Sequence, residues 1–353
     1  MTLLWFDGFE TYSGGTNLPD YRLAIANSDV FTLLENSGYN DIGAYGRRGS
    51  NGIQQRRVDY KMTYTMSSNH TSLIFGWSIY QSTNAIPSYN ASYPFFCLYD
   101  GSTIQLRFHF VGSEIAVYQG DGTLLGTTSG FGMGYGITRY FEVKFTIDNA
   151  AGIINIRSNE TSVLSLTSQD TQNSANAYIN KFFTTMIYNN ITPRLDDFYI
   201  CDLTGSKNND FLGDVRVDVV RPDGAGTYTD FSPSAGSNYE NVDETYPDDD
   251  TTYNDSQDAA AGEQDSYAME SLDVLGTTIH GVKDQITVRK TDAGARSAKI
   301  LTIQGGSDYL GDEIVLSDTY TTNTRIMEDN PDDAAAFVEA DIAAGEVGVE
   351  VTA

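Results

Sequence analysis

The sequence predicts an all-β protein. Tyrosine and phenylalanine are frequent, with 23 Tyr and 17 Phe, and only 20% of the 353 residues are charged. Aromatic residues combined with many Thr, Ser and Asn and with 33 Gly favour strands and tight turns over helices. Apolar and polar residues alternate over short stretches, with turn signals roughly every 8–12 residues. A chain of this length is expected to form two domains.

The first predicted domain, residues 1–205, carries the clearest strand signals. In "FEVKFTIDNAAGIINIR" (Phe141–Arg157) two alternating runs flank a five-residue turn containing glycine, which predicts a β-hairpin. Many short strands with regular turns predict an antiparallel sandwich of the jelly-roll type. The predicted strands are Val58–Met66, Leu73–Tyr80, Phe95–Asp100, Ile104–Phe110, Ile115–Gln119, Arg139–Asp148, Gly152–Ser158 and Leu195–Asp202.

The second predicted domain, residues 206–353, follows a polar linker at Thr204–Asp214 and is expected to be β-rich with one short helix. Residues 225–266 are rich in Gly, Ser, Asp and Tyr and show only weak periodicity. The helix is predicted within Asn330–Gly345, because Asn330 suits a cap, Pro331 the first position and Gly345 the end. Strands are predicted within residues 215–224, 279–292, 298–306, 312–322 and 348–353.

Charge is distributed unevenly along the chain. The net charge is -27, with 18 acidic and 13 basic residues in 1–210 against 30 and 8 in 211–353. Such acidity disfavours nucleic acid and anionic membranes as partners. No apolar run approaches the ~18 residues of a membrane span, and "MTLLWFDGFETY" lacks the basic and apolar regions of a signal peptide. We therefore expect assembly inside a cell without secretion.

Cysteine and histidine patterns give no support to a catalytic or metal centre. Cys97 and Cys201 lie in apolar strand-like runs, which predicts buried free thiols rather than a disulfide. His70, His109 and His280 are far apart, and neither HExxH nor GxSxG occurs. The sequence therefore predicts no catalytic, cofactor-binding or metal-ligating residues.

The glycine-rich run "GFGMGYG" (Gly130–Gly136) resembles a phosphate-binding loop only superficially. A nucleotide fingerprint must open a helix whose N-terminus faces the phosphate, whereas this run precedes a predicted strand. We predict a hairpin loop.

The run "VDETYPDDDTTYND" (Val242–Asp255) is the strongest candidate for a cation site, although no cofactor is expected. Its carboxylates are the hard oxygen ligands that Ca²⁺ prefers, but their spacing does not match an EF-hand. A solvated or subunit-facing loop is favoured, and a Ca²⁺ site is the alternative. The candidate ligands are Asp243, Glu244, Asp248, Asp249, Asp250 and Asp255.

Two further clusters invite a functional interpretation. Glu263, Asp265 and Glu270 come nearest to the paired carboxylates of polysaccharide-cleaving enzymes, but their spacing overshoots and the region looks loop-like. We therefore predict a protein that is not an enzyme. The basic cluster within Gly46–Arg57 either docks on an acidic neighbouring subunit or consists of scattered surface arginines. It contains Arg47, Arg48, Arg56 and Arg57.

Several stretches carry a resemblance to known families. "LLWFDGFETY" (Leu3–Tyr12) and "PRLDDFYICDLTGS" (Pro193–Ser206) resemble the first and last strands of a laminin-G-like, concanavalin A-type jelly roll. Residues Asn208–Asp255, Val288–Gly306 and Ser317–Asp333 resemble structural proteins of tailed bacteriophages and prophages. This resemblance implies a virion protein with a lectin-like first domain and a family-specific second domain, assembled in the host cytoplasm.

The resemblance implies a non-enzymatic structural or binding protein on the particle exterior. A tail-associated fibre or adhesin is favoured because of the lectin-like domain. A capsid decoration protein is the first alternative, and a polysaccharide-cleaving tail enzyme is the alternative of another class. The expected partners are further copies of the chain in a homotrimer, other virion proteins and a host surface glycan.

Overall fold

The computed structural model describes residues 2–12, 31–36, 40–55, 62–81, 94–184, 193–256 and 260–353. These residues form two compact units, each described separately below. The first takes in the described residues of Met1–Glu10 and Gly14–Val217, and the second those of Thr11–Ser13 and Asp218–Ala353. Within the described ranges, no helix has the length and hydropathy needed to cross a membrane.

The described residues of the first unit form strands, apart from a 3-10 turn at Arg47–Gly49. Its strands are β1 (Leu3–Asp7), β2 (Phe31–Asn36), β3 (Asn40–Gly43), β4 (Gly52–Gln55), β5 (Met62–His70), β6 (Ser72–Gln81), β7 (Phe96–Asp100), β8 (Thr103–Val111), β9 (Glu114–Gln119), β10 (Leu124–Thr127), β11 (Thr138–Thr146), β12 (Gly152–Ser158), β13 (Thr161–Gln169), β14 (Ile179–Thr184) and β15 (Pro193–Asp202).

These strands form two antiparallel sheets. The first has the order β13-β12-β11-β6-β15-β4-β3, with β1 also paired to β15, and the second has the order β10-β9-β8-β7-β14-β5-β2. The predicted sandwich is confirmed, and so is the hairpin, because β11 pairs with β12 through Phe145 and Ile154. Each of the eight predicted strands corresponds to an observed one. Residues 58–61 of the first prediction lie outside the described residues.

Aromatic side chains fill the space between the two sheets. Phe75 and Trp77 of β6 are 0% and 1% exposed. The Phe75 ring lies 5.1 Å from that of Phe96 on the opposite sheet, and the Trp77 ring lies 4.7 Å from that of Phe141. Burying one such side chain stabilises the fold by roughly 1.5–3 kcal/mol. Cys97 and Cys201 are buried thiols without a disulfide, as predicted.

The described residues of the second unit are β-rich with one short helix, also as predicted. One sheet has the order β16-β19-β24-β21-β22, and the pairs β17-β18 and β20-β23 form two small ribbons. A 3-10 turn spans Asn238–Asn241. The elements are β16 (Pro222–Thr229), β17 (Ser232–Pro233), β18 (Asn254–Asp255), β19 (Gln264–Met269), β20 (Val282–Val288), β21 (Ser297–Gln304), β22 (Ser307–Val315), β23 (Thr321–Met327), α1 (Glu339–Ala344) and β24 (Glu346–Val351).

Three local predictions in this half of the chain are wrong. The strand predicted within residues 312–322 covers the end of β22 and the start of β23, and Leu316–Tyr320 between them form no strand. Residues 215–220 form no strand, and β16 instead begins at Pro222, where a turn was expected. The backbone groups of Val215 and Val217 bond to side chains of the first unit, so they are not available for a sheet. β16 lacks an apolar pattern because its residues are mostly glycine, alanine and threonine.

The helix α1 ends before Gly345 as predicted, but it begins at Glu339 and not at Pro331. Asn330 Oδ1 accepts a hydrogen bond from Asp332 N at 3.0 Å, which closes a local turn. Ala334 then adopts φ 58°, a left-handed conformation that interrupts any helix.

Candidate functional site

The first unit contains a cleft of about 400 Å³ on its first sheet. This volume lies in the range of small-ligand sites. The loop between β3 and β4, the strands β6, β11 and β15 and the turn after β12 all contribute to the lining. Prominent lining residues are Tyr45, Arg47, Tyr80, Tyr140, Asn159 and Arg194.

Strand register brings these residues together. Alternate residues of β6, such as Trp77 and Ile79, point into the core, so the intervening residues face the other side of the sheet. Tyr80 on β6 lies opposite Arg194 on β15 and opposite Thr138 on β11. A row of polar and aromatic side chains therefore crosses three neighbouring strands.

Arg194 contributes a cation that no carboxylate neutralises within the described part of the chain. Its guanidinium carbon lies 5.2 Å from the centre of the Tyr45 ring and 5.3 Å from that of Tyr80. Such cation–π contacts hold a guanidinium in place without using its hydrogen-bond donors. Among the described residues, Nε of Arg194 is buried without a hydrogen-bond partner.

Arg47 is held by the protein itself. Its Nη2 lies 2.6 Å from Asp197 Oδ2, its Nη1 pairs with Asp214, and Nη2 also donates to Val215 O at 2.5 Å. Burial alone would lower the pKa of Arg47, but Asp197 and Asp214 outweigh it and raise that pKa above its usual value. The Arg47 backbone N–H donates to Asp196 Oδ2 at 2.6 Å.

The predicted basic cluster is thus only partly a surface feature. Arg47 is a buried anchor within its own unit, with its side chain 12% exposed, whereas the Arg48 side chain is 48% exposed. Arg56 and Arg57 lie outside the described residues. The described lining contains Arg47, Arg48 and Arg194 and the single acid Asp214. Because Asp197 and Asp214 neutralise Arg47, the excess positive charge of the lining comes from Arg194 and Arg48.

A buried polar layer lies beside the cleft under the segment Asp210–Val217, here called the covering segment. Glu142 of β11 is 0% exposed. It accepts hydrogen bonds from Tyr199 Oη at 2.6 Å and from Gly213 N at 2.9 Å, and burial raises its pKa. A Cβ on Gly76 would lie 2.1 Å from the Tyr199 ring, so only glycine allows this tyrosine to cross β6.

Tyr140 completes the floor of the cleft. Its hydroxyl donates to Asp197 O at 2.9 Å, and burial raises its pKa well above the ordinary value. A neutral, hydrogen-bonded phenol of this kind holds structure and does not act as a base near neutral pH. Asn159 fixes the adjoining turn, because its Oδ1 accepts from Tyr140 N at 2.7 Å.

Carboxylates also gather where β15 bulges between Asp196 and Tyr199. Burial, with the neighbouring charge of Asp197, raises the pKa of Asp196 to about 7. Burial, followed by the charges of Asp196, Asp7 and Asp197, raises the pKa of Glu10 to about 9. No group of three or more metal-ligating side chains among the described residues has an arrangement that could hold a metal ion.

The glycine-rich run forms a loop before β11, but it is not the predicted hairpin loop, because it connects β10 of the second sheet with β11 of the first. The N–H groups of Gly130 and Phe131 donate to the Glu114 carboxylate at 3.1 and 3.0 Å. Burial of Glu114 opposes ionisation, but hydrogen bonds from Thr128 and these backbone groups prevail and lower its pKa. The loop's N–H groups therefore serve a side chain of the same unit.

The acidic run Val242–Asp255 is tied into the second unit by several side-chain contacts. Asp250 Oδ1 lies 2.5 Å from Arg289 Nη2 and accepts a hydrogen bond from Tyr320 Oη at 3.0 Å. Thr252 Oγ1 lies 2.6 Å from Glu244 Oε1 and 3.0 Å from the Asp248 carboxylate oxygens. These contacts account for much of the acidic run as part of the fold.

The three acids considered for catalysis lie on or beside a strand, contrary to the expected loop. Asp265 lies on β19, is 0% exposed, and accepts hydrogen bonds from Asn238 Nδ2 at 2.8 Å and Tyr267 Oη at 2.6 Å. Burial raises its pKa. Glu263 bonds to Ser256, and Glu270 Oε2 accepts from Arg221 N at 3.1 Å. Asp265 thus joins a loop to β19 and does not face solvent.

Most of the cleft was missed by reasoning from the sequence. Arg47 and Arg48 were singled out, Tyr80 and Tyr140 were seen only as parts of predicted strands, and Arg194 lies just before the predicted strand Leu195–Asp202. The available signal was the position of aromatic and arginine residues on the polar face of strands, where small polar residues are the ordinary choice.

Comparison with known proteins gives no assignment. No family model matches the sequence, and no curated protein matches it. The alginate lyase Aly36B is 11% identical, with 55% of this chain and 95% of that chain covered and a TM-score of 0.38. Domain 4 of AbnA, a GH43 extracellular arabinanase from Geobacillus stearothermophilus in complex with arabinotriose, is 11% identical, covering 57% and 92% with a TM-score of 0.39. The lectin UEA-II complexed with galactose is 8% identical, covering 57% and 99% with a TM-score of 0.36. At such identities and scores none of them assigns a ligand to this chain.

Proposed function

We propose that this chain is a non-enzymatic binding protein of a tailed-phage particle that recognises a host surface glycan through the cleft of its first unit. The lining of the cleft is the observation that carries the proposal. Tyr45 and Tyr80 offer ring faces and hydroxyls, while Arg194 and Asn159 offer hydrogen-bonding groups. Aromatic surfaces with a few placed polar groups are the usual composition of a small-ligand site.

The experiment is a glycan array probed with the full chain and with Tyr80→Ala. Binding to at least one glycan is expected, with a loss of about tenfold or more in affinity for the variant, because truncation removes a ring from the cleft. Tyr135→Ala is the matched control, since Tyr135 is 62% exposed and does not line the cleft. Equal loss in both variants, or no binding by the parent, would contradict the proposal.

The phage assignment rests on the sequence resemblance, and the tail is favoured because a host-binding cleft is useful where the particle meets the cell. Antibody labelling of intact particles should mark the tail, and particles lacking the chain should adsorb poorly. Label on the head, with loss of thermal stability and unchanged adsorption, would instead support a capsid decoration protein. Light scattering tests the homotrimer proposed for the free protein.

The non-enzymatic part of the proposal is supported by the acids of the cleft. Glycoside hydrolysis needs two carboxyl groups across the scissile bond, and the described lining holds only Asp214, which is paired with Arg47. Capsule polysaccharide incubated with the chain should release neither new reducing ends nor unsaturated products. Activity that disappears with Glu263→Gln or Asp265→Asn would identify the protein as an enzyme.

A further inference from the structure

We infer that the cleft selects a glycan bearing a carboxylate, such as a uronate or a sialic-acid-type sugar, and that Arg194 receives this carboxylate. The inference rests on the proposed function and adds to it the charge class of the ligand. Two observations carry it: Arg194 has no acidic partner among the described residues, and the described lining holds more arginines than acids.

The protein positions the Arg194 side chain in the cleft but, among the described residues, pairs it with no acid. Contacts with Tyr45 and Tyr80 fix the guanidinium, and among the described residues its buried Nε has no hydrogen-bond partner. A buried donor left without an acceptor destabilises the folded state. The planar fork of a guanidinium matches a carboxylate through two parallel hydrogen bonds, and the part of Arg194 that lines the cleft is where a bound carboxylate meets it.

Arg47 shows what the same residue type does when its role is structural. Its guanidinium is shared between Asp197, Asp214 and Val215 O, and little of it is exposed. Arg194 has no such acid among the described residues, although the whole chain carries 48 acidic residues against 21 basic ones. An unneutralised arginine in so acidic a chain points to a negative charge supplied by a ligand.

Arg48 extends the positive charge of the site. Its Nη1 lies 4.0 Å from Asp197 Oδ2, and nearly half of the side chain is exposed. Because Asp197 is already paired with Arg47, Arg48 retains much of its attraction for an incoming anion. An excess of positive charge in a cleft raises the local concentration of anions there.

The test compares acidic oligosaccharides with their neutral counterparts. Oligomers of galacturonate, glucuronate, mannuronate and guluronate, together with sialyllactose, are titrated into the full chain, followed by the same probes after reduction of their carboxyl groups. A sulfated oligosaccharide of equal length serves as a second anion. Parent, Arg194→Met, Arg194→Lys and Lys181→Gln are measured at low and high salt. Lys181 lies on β14 of the opposite sheet and does not line the cleft, so its variant controls for the loss of one charge.

The expected result is binding of at least one carboxylated probe, about tenfold or more weaker with Arg194→Met and unchanged with Lys181→Gln. Arg194→Lys should recover only part of the affinity, because lysine lacks the planar fork. Salt should weaken binding. Equal affinity for reduced or sulfated probes, or insensitivity to Arg194→Met, would overturn the carboxylate inference and leave glycan binding standing. Failure to bind any probe, neutral ones included, in a correctly folded parent would overturn both.

Discussion

The Glu10 carboxyl group has a strongly raised pKa in the folded state. Burial and the charges of Asp196, Asp7 and Asp197 raise its pKa from 4.5 to about 9. Glu10 is therefore protonated in the folded state at neutral pH and ionised in the unfolded chain. Since the folded state then binds the extra proton, the free energy of unfolding falls as the pH rises from about 4.5 towards 9. Asp196 adds a smaller effect of the same sign below about pH 7.

Glu10→Gln removes this ionisation while keeping the shape of the protonated acid. We expect the variant to melt at a higher temperature than the parent near about pH 8–9 and to show a flatter dependence of melting temperature on pH. The measurement is thermal unfolding across this pH range with a chelator present, so that stray cations do not mask the repulsion. Exposed Glu313→Gln is the control and should leave the pH profile unchanged. A variant that melts below the parent in alkaline buffer would contradict the assignment.

Among the elements of the first unit, the loop between β3 and β4 is fastened to the bulge of β15 through Arg47, and Ser50 Oγ also donates to Asp196 Oδ2 at 3.1 Å. Arg47 Nε donates to Asp197 Oδ2 at 2.7 Å, and its backbone N–H donates to Asp196. Asp197 is 3% exposed and adopts φ 52°, so its carboxylate depends on this cation for compensation. A buried carboxylate that loses its closest cation is costly.

Arg47→Met should therefore lower the free energy of unfolding by about 3–5 kcal/mol, because it leaves Asp197 uncompensated while keeping much of the side-chain volume. Arg48→Gln, one residue further along, should cost less than about 1 kcal/mol, since an exposed pair contributes little. Urea denaturation of the two variants beside the parent measures both values. Similar losses in the two would mean that Arg47 is not the anchor of this loop.

The strands that reasoning from the sequence could locate are those whose two faces differ. In β11 and β12 apolar residues alternate with polar ones, and their hairpin was predicted to within a few residues. β16 was not found because its sequence, "PDGAGTYT", offers glycine and alanine where an apolar pattern would be needed. The start of α1 was predicted too early along the chain, because Asn330 closes an isolated turn and not the first turn of the helix.

The cleft could not be predicted because it depends on register between distant strands. Tyr80 and Arg194 are separated by more than a hundred residues and meet only through the pairing of β6 with β15. That pairing includes an irregularity between Asp196 and Tyr199, which also directs Asp197 towards Arg47. Alternation predicts which face a side chain occupies and leaves open which strand lies beside it.

In the molecule as a whole, the covering segment forms the end of the first unit along the chain. The sequence suggested a boundary after residue 205, whereas the compact units divide after Val217. Residues of the covering segment supply hydrogen bonds that a buried layer requires. Gly213 N donates to Glu142, and Val217 N donates to Asp197 at 2.8 Å.

A fragment of residues 1–217 should fold cooperatively, whereas a fragment of residues 1–205 should be much less stable. The shorter fragment leaves Glu142 with one donor fewer and removes Asp214 and Val215 from Arg47. At roughly 1–3 kcal/mol for each buried group left unsatisfied, the melting temperature should fall by about 10 °C or more. Calorimetry of both fragments gives the comparison, with an exposed change in the covering segment, Asp210→Asn, in the longer fragment as a control. Equal melting temperatures would show that the covering segment is not part of the first unit's stable fold. A longer fragment that fails to fold would show that the first unit needs residues beyond Val217.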